Sequence, residues 1–92
     1  MKNIELVFPE FVTGLTGFTY GNKIYREQVQ PALGDGHINV IFPDQIENVS
    51  HSFIQGFFSD LVSEIGYLDI KQRVMITAAS RRLEKNIWKR LF

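Results

Sequence analysis

The sequence predicts a single α/β domain, residues 1–92, with about four strands in a mixed sheet and three helices packed on it. Three observations lead to this fold class. Residues 38–42 form an apolar run rich in branched side chains, typical of a strand covered on both faces. Residues 53–65 place apolar side chains three and four positions apart, as in a helix with one buried face. A second helical pattern precedes the apolar run, which indicates a crossover between strands.

The first strand is predicted from alternation at the start of the chain. Ile4, Leu6 and Phe8 alternate with other residues until Pro9, which ends the strand because proline has no amide hydrogen to donate. Glycines interrupt the apolar residues between positions 10 and 21. This pattern predicts a hairpin return and a second short strand.

The first helix is predicted to begin at Asn22, whose side chain can accept a hydrogen bond from a first-turn amide. Pro31 lies inside the same helical pattern and removes one helical hydrogen bond. We therefore expect a kink or an early end near Gln30. The apolar strand of residues 38–42 follows, and Pro43 ends it.

The central helix can begin at either of two serines. Ser52 would form a capping box with Gln55, whereas Ser50 as the cap would allow a hydrophobic staple. Gly66 is the predicted end of this helix. A last short strand is expected at residues 74–76, and Ser80 is expected to cap a terminal helix. The apolar stripe of that helix consists of Leu83, Ile87, Leu91, Trp88 and Phe92.

Composition limits the compartment and the kinds of site. The chain contains no cysteine, so disulfides, thiolate metal sites and cysteine nucleophiles are excluded. The first residues lack the long apolar segment of a signal peptide, and no apolar run approaches the length that spans a bilayer. We expect a cytoplasmic protein that does not insert into membranes.

Charge is balanced overall but unevenly distributed. Residues 27–70 contain seven acidic side chains and no Lys or Arg, whereas residues 71–92 contain seven basic side chains and one acidic one. Such a polarised molecule can steer a charged partner or favour self-association, including a homodimer. The alternative is that these charges are solvated faces that balance each other in the folded protein.

No catalytic or metal-binding pattern stands in the sequence. His37 and His51 are the only histidines, and neither has the spacing of a zinc-binding helix or of a catalytic triad. Asp60 and Glu64 share a helix face, but the pattern does not place them in a cleft, so they are interpreted as solvated charges. We expect a protein that is not an enzyme and that requires no cofactor or metal.

Several short motifs are similar to one bacterial family. They are Arg26-Glu27 in the first helix, Pro31-Ala32-Leu33 at its end, the apolar strand, Ile46-Glu47-x-Val49, and Ser50-x-Ser52-Phe53 before the second helix. In these motifs the chain resembles the STAS-like domain family, relatives of the anti-sigma-factor antagonists. The resemblance covers about residues 22–92. It implies a small regulatory module that binds a histidine-kinase-like ATPase or a transcription regulator.

The resemblance also implies a phosphorylation site at the start of the central helix, at Ser50 or Ser52. A helix N-terminus stabilises added negative charge, while the same phosphate would repel an acidic docking surface. The alternative is that both serines only cap the helix. The partner-binding surface is predicted on the start and outer face of this helix, at His51, Ser52, Gln55, Ser59, Asp60 and Glu64.

A second hypothesis places nucleic-acid binding on the terminal helix. Its five cations could neutralise several phosphates. They are Arg81, Arg82, Lys85, Lys89 and Arg90. Trp88 borders the apolar stripe of the same helix, which favours a packing role over stacking on a base.

Overall fold

The structure is a computed structural model that describes residues 1–91. Its elements in chain order are β1 (Lys2–Glu5), β2 (Gly14–Leu15), α1 (Phe18–Ile24), β3 (Ile38–Ile41), β4 (Asn48–Val49), α2 (His51–Arg73), β5 (Val74–Thr77) and α3 (Arg81–Leu91). After α1 the chain continues through a π-helical turn, Tyr25–Val29, and a 3-10 turn, Gln30–Ala32. None of these helices combines the length and apolar character needed to span a bilayer.

The predicted α/β class with three helices is confirmed, but the strands form two parallel sheets instead of one mixed sheet of about four strands. The main sheet has three strands in the order β1-β3-β5, and β2 pairs separately with β4. Helical crossovers connect β1 to β3 and β3 to β5. After each crossover the next strand runs parallel to the one before it. The predicted hairpin does not form, because Leu15 pairs with Val49 far along the chain.

The main sheet buries only one of its faces. Five strand side chains on that face are buried: Ile4, Ile38, Val40, Val74 and Ile76. The opposite face carries Asn3, Asn39 and Thr77 in a hydrogen-bonded row. Asn39 Nδ2 donates to Asn3 Oδ1 at 3.4 Å, and Thr77 Oγ1 donates to Asn39 Oδ1 at 2.9 Å. Helix α2 lies between α1 and α3 on the apolar side. Within residues 1–91 the polar face is therefore uncovered.

Helix α1 is capped five residues earlier than predicted. Its N-cap is Gly17, and Asn22 lies inside the helix. The Asn22 amide instead donates to the Gly56 carbonyl at 3.3 Å and to Ser59 Oγ at 3.2 Å, so a contact with α2 takes the place of a cap. The expected irregularity before Pro31 is confirmed, since the α-helix gives way to the π-helical and 3-10 turns there.

Ser50 is the cap of α2. Its Oγ accepts a hydrogen bond from the Phe53 amide at 3.1 Å. Gly66, the predicted end of the helix, breaks it with φ of 79°, a conformation that residues with a Cβ rarely adopt, but it does not end it. The helical path resumes after this residue and ends at Arg73. The Arg73 guanidinium donates to the carbonyl oxygens of Gly34 and Gly36, which fixes the loop before β3.

Helices α1 and α2 touch through their backbones. A Cβ added to Gly21 would lie 2.1 Å from the Phe53 carbonyl oxygen, and one added to Gly56 would lie 1.9 Å from the Phe18 carbonyl oxygen. Real Cβ atoms do not approach backbone atoms this closely, so both positions require glycine. The two helices can consequently lie close together and cover the sheet with buried aromatic side chains, among them Phe53, Phe57 and Tyr25.

Helix α3 matches its prediction. Ser80 Oγ accepts a hydrogen bond from the Leu83 amide at 3.1 Å. Leu83, Ile87 and Leu91 are buried, and Trp88 packs against the same core. Phe92, the last predicted member of the apolar stripe, lies outside the described residues.

We predict that Gly56→Ala lowers the free energy of unfolding by about 3 kcal/mol or more, because the new methyl group would force the two helices apart. Gly34→Ala is the matched control, since a Cβ at that position meets nothing within 4 Å. Its effect should stay within about 0.5 kcal/mol. Urea unfolding followed by circular dichroism measures both variants. Equal midpoints for Gly56→Ala and the parent protein would contradict the close helix contact.

Candidate protein-binding surface

The start of α2 is joined to the start of α1. The Oγ atoms of Ser50 and Ser52 lie 3.1 Å apart. Ser52 Oγ also accepts a hydrogen bond from the Gly17 amide at 3.2 Å. The two serines therefore have different partners: Ser50 caps its own helix, whereas Ser52 holds the residue before Phe18. Ser52 and His51 are both exposed.

Two of the predicted partner-binding residues also contact α1 or the π-helical turn that follows it. Ser59 Oγ donates to the Gly56 carbonyl at 3.0 Å and accepts from Asn22. Asp60 Oδ2 accepts a hydrogen bond from Arg26 Nε at 2.8 Å, the one ion pair among residues 1–91. This bond from Arg26 lowers the pKa of the Asp60 carboxyl group. Ser59 and Asp60 are consequently partly buried, while Gln55 and Glu64 are exposed.

One side of α2 forms a depression of about 320 Å³ that we call the aromatic groove. It is lined by Phe18, Gln55, Ser59, Val62, Tyr67 and Leu91. Phe18 and Tyr67 are 50% and 52% exposed, so the groove presents parts of two aromatic rings to solvent. Sequence reasoning found Gln55 and Ser59 but missed both aromatic residues. Their exposure depends on how α1 and the part of α2 after Gly66 are placed relative to the part of α2 before Gly66. No local sequence pattern predicts that arrangement.

A second depression, of about 390 Å³, lies where the π-helical and 3-10 turns run beside α2. We call it the acidic cleft, and it is lined by Arg26, Gln30, Asp60, Ser63 and Glu64. Asp60 and Glu64 line this open depression opposite a distant part of the chain, and Glu64 stays exposed to solvent. The predicted surface is thus divided between two depressions.

Tyr25 is the first residue of the π-helical turn that also contains Arg26. Its side chain is fully buried, and its hydroxyl group has no hydrogen-bond partner among the described residues. The pKa of Tyr25 is raised to about 12, chiefly because burial disfavours the phenolate and further because of the Glu64 and Asp60 carboxylates. Tyr25 is therefore a neutral phenol at physiological pH.

The cations of α3 are all on its outer surface. Arg81, Arg82, Lys85, Lys89 and Arg90 are exposed. Elsewhere, His37 and His51 are exposed. The described part of the chain contains no group of three His, Cys, Asp or Glu side chains that could hold a metal ion.

Comparison with protein-family models, with curated proteins and with solved structures found no match to this chain. The resemblance to STAS-like domains therefore stays a prediction made from short motifs.

We predict that Tyr25→Phe leaves the stability at pH 7 equal or slightly higher, by up to about 1 kcal/mol, because the lost hydroxyl group makes no hydrogen bond in the protein. The two proteins should diverge in alkali. The folded pKa is about 12 and the ordinary value is 10.0, so the unfolded chain loses the Tyr25 proton first. Parent stability consequently falls as pH rises from the ordinary pKa through the folded one.

The measurement is urea unfolding of both proteins at pH 7, 9 and 11. The other titrating groups are common to both, so the difference between the two free energies isolates Tyr25. A difference that is constant with pH would contradict the raised pKa.

Proposed function

We propose that this chain is a non-catalytic regulatory module that binds a partner protein in the aromatic groove. The observation that carries this proposal is the half-exposure of Phe18 and Tyr67 on the rim of a groove whose polar residues include Gln55 and Ser59. Aromatic side chains surrounded by polar groups are the usual anchors of protein interfaces. A partner surface with apolar side chains and hydrogen-bonding groups fits this arrangement.

The groove is built on a rigid support. The glycine contact between α1 and α2 fixes the position of Phe18, because the Phe18 carbonyl group lies at that contact. Gln55, Ser59 and Val62 lie on α2, whose opposite side is buried in the core. Binding a partner there requires little ordering of the module, which reduces the entropic cost of association.

Ser52 connects the proposed phosphorylation point to the groove. Its Oγ accepts the amide hydrogen of Gly17, and the next residue along the chain is Phe18. A phosphate on Ser52 would add charge at this contact and would alter the position of Phe18 or repel an acidic partner. The resemblance to STAS-like domains favours a histidine-kinase-like ATPase as the partner and the kinase.

A nucleic-acid-binding role for α3 is the second candidate. It is favoured by the exposure of all five cations of this helix while its apolar stripe is buried. The helix lacks a comparable exposed aromatic side chain, since Trp88 is partly buried against the core. Phosphate contacts alone would give binding that depends on salt and not on sequence.

We predict that Tyr67→Ala and Phe18→Ala each weaken partner binding by about tenfold or more, because each removes an anchor from the groove. Phe11→Ala is the matched control, since Phe11 is 85% exposed and lies outside the groove. The partner is first captured from a lysate with the immobilised parent protein and identified. Its affinity for all four proteins is then measured by titration. The binding site would instead lie on α3 if the groove variants kept their affinity for the partner while Lys85→Glu and Lys89→Glu lost it.

We predict that Ser52→Asp weakens the same interaction more than Ser50→Asp does, while both variants stay folded. Negative charge is tolerated at a helix N-terminus, but only Ser52 contacts the start of α1. The titration above, repeated with these variants and with Ser63→Asp as an exposed serine elsewhere on α2, provides the comparison. Equal affinities for all proteins would remove the helix start from the interface.

A further inference from the structure

The outer edge of β1 is left open by the described part of the chain. β1 is an edge strand of the main sheet. The amides of Lys2 and Leu6 donate to carbonyl oxygens in or next to β3. Alternate residues of a parallel strand bond to the same neighbour, so the backbone N–H and C=O groups of Asn3 and Glu5 point away from the sheet. Both residues are exposed, and these outward groups form no hydrogen bond within residues 1–91.

A glutamine side chain shows where the open edge ends. Val7 is the next residue whose backbone points outward. Its N–H donates to Gln28 Oε1 at 2.7 Å, and its carbonyl oxygen accepts a hydrogen bond from Gln28 Nε2 at 2.9 Å. The Gln28 amide therefore occupies the place that a peptide group of a neighbouring strand would take. The segment that remains open to a further strand runs from Asn3 to Glu5.

The opposite edge of the main sheet, β5, is closed at both of its ends. The Val74 amide donates to the Ile70 carbonyl oxygen, and the Ala78 amide donates to Glu84 Oε2 at 2.9 Å. Between them, Ile76 is the single alternate residue left with outward groups. Of the two edges of the main sheet, β1 thus offers the longer open ladder. Open ladders of this kind are templates for pairing with another strand.

The side chains of the open edge suit a second copy of the same strand. Asn3 and Glu5 are two residues apart, so both side chains lie on the uncovered face of the sheet. Asn3 Oδ1 accepts a hydrogen bond from Asn39, whereas Asn3 Nδ2 has no partner among residues 1–91. Glu5 takes part in no ion pair within the same residues. The edge therefore carries one donor and one carboxylate, each without a partner.

One antiparallel register matches these groups. With Ile4 at the two-fold axis, Asn3 of each copy lies directly opposite Glu5 of the other. The outward backbone groups of these residues then pair with each other, and the Asn3 amide can donate to the Glu5 carboxylate across the strands. The pairing ends before Val7, where Gln28 already fills the edge.

We propose that two copies of this chain associate through their β1 strands in this register and join their main sheets into one continuous sheet. The contact consists of about four backbone hydrogen bonds and the two Asn3–Glu5 pairs. Interfaces well below about 1,200 Å² are characteristic of weak complexes, so the dimer depends on protein concentration. This interface shares no residue with the aromatic groove.

The test is sedimentation equilibrium of the full chain over a wide range of concentrations. We expect a reversible equilibrium between monomer and dimer. Asn3→Lys should strengthen the association about fivefold, because each new ammonium group lies opposite Glu5 of the other copy. Asn3→Pro should abolish it, since proline lacks the outward N–H, a group that the monomer leaves unbonded. Circular dichroism establishes that each variant is folded.

Met75→Lys is the matched control, because Met75 is 50% exposed on the same uncovered face but lies on β5. It should leave the association unchanged. Loss of the dimer in this variant would place the contact on the face of the sheet and would overturn the proposal. Weaker association of Asn3→Lys would also overturn it, since that result indicates a register with Asn3 opposite Asn3. A parent protein that stays monomeric at every concentration would refute the interface altogether.

Discussion

The backbone contact between α1 and α2 is the constraint on which the rest of the structure depends. Gly21 and Gly56 leave no room for a side chain, so the two helices approach until their main chains touch. The contact holds the helices side by side and brings Asn22 to Ser59 and Arg26 to Asp60. Both depressions on the helical side of the molecule lie along this pair. The hydrogen bonds and the ion pair maintain the alignment, but the close approach determines it.

The sheet is covered differently from most parallel sheets. Parallel strands are usually buried on both faces, whereas here the helices cover only one face. The open face carries the polar residues Asn3, Asn39 and Thr77. Their side chains form hydrogen bonds to one another across neighbouring strands. Ile41 and Met75 lie on the same face. Ile41 is partly exposed, and Met75 is 50% exposed. The alternation of buried and more exposed residues in β3 and β5 is therefore that of a two-layer domain.

Features that depend on a few neighbouring residues could be predicted from the sequence. A serine cap for α2, at Ser50 or Ser52, the cap at Ser80, a break of the helix at Gly66 and the irregular backbone before Pro31 follow from local hydrogen bonding and backbone geometry. The buried stripes of α2 and α3 follow from periodicity. Asn22 shows the limit of this reasoning, because an asparagine suited to a cap makes tertiary bonds instead.

The candidate site could be predicted only in part for the same reason. Gln55 and Glu64 were found because they lie on the polar side of a strong amphipathic pattern. Phe18 and Tyr67 were missed because their exposure depends on how separate segments pack, and a linear pattern does not distinguish them from ordinary core residues. The parallel direction of β2 and β4 was also beyond local reasoning, since a two-residue strand carries almost no signal of its own.

The parallel arrangement has a consequence for how the chain acquires its structure. Lys2 pairs with Ile38, Gly14 with Asn48, and Ile38 with Val74, so every strand pair joins residues separated by more than a third of the chain. Such high contact order slows folding, because a large loop must close before any strand is stabilised. During synthesis β1 has no partner until β3 has left the ribosome, and the main sheet is incomplete until β5 follows. The N-terminal half alone thus exposes its apolar strand face, and native structure forms late and cooperatively.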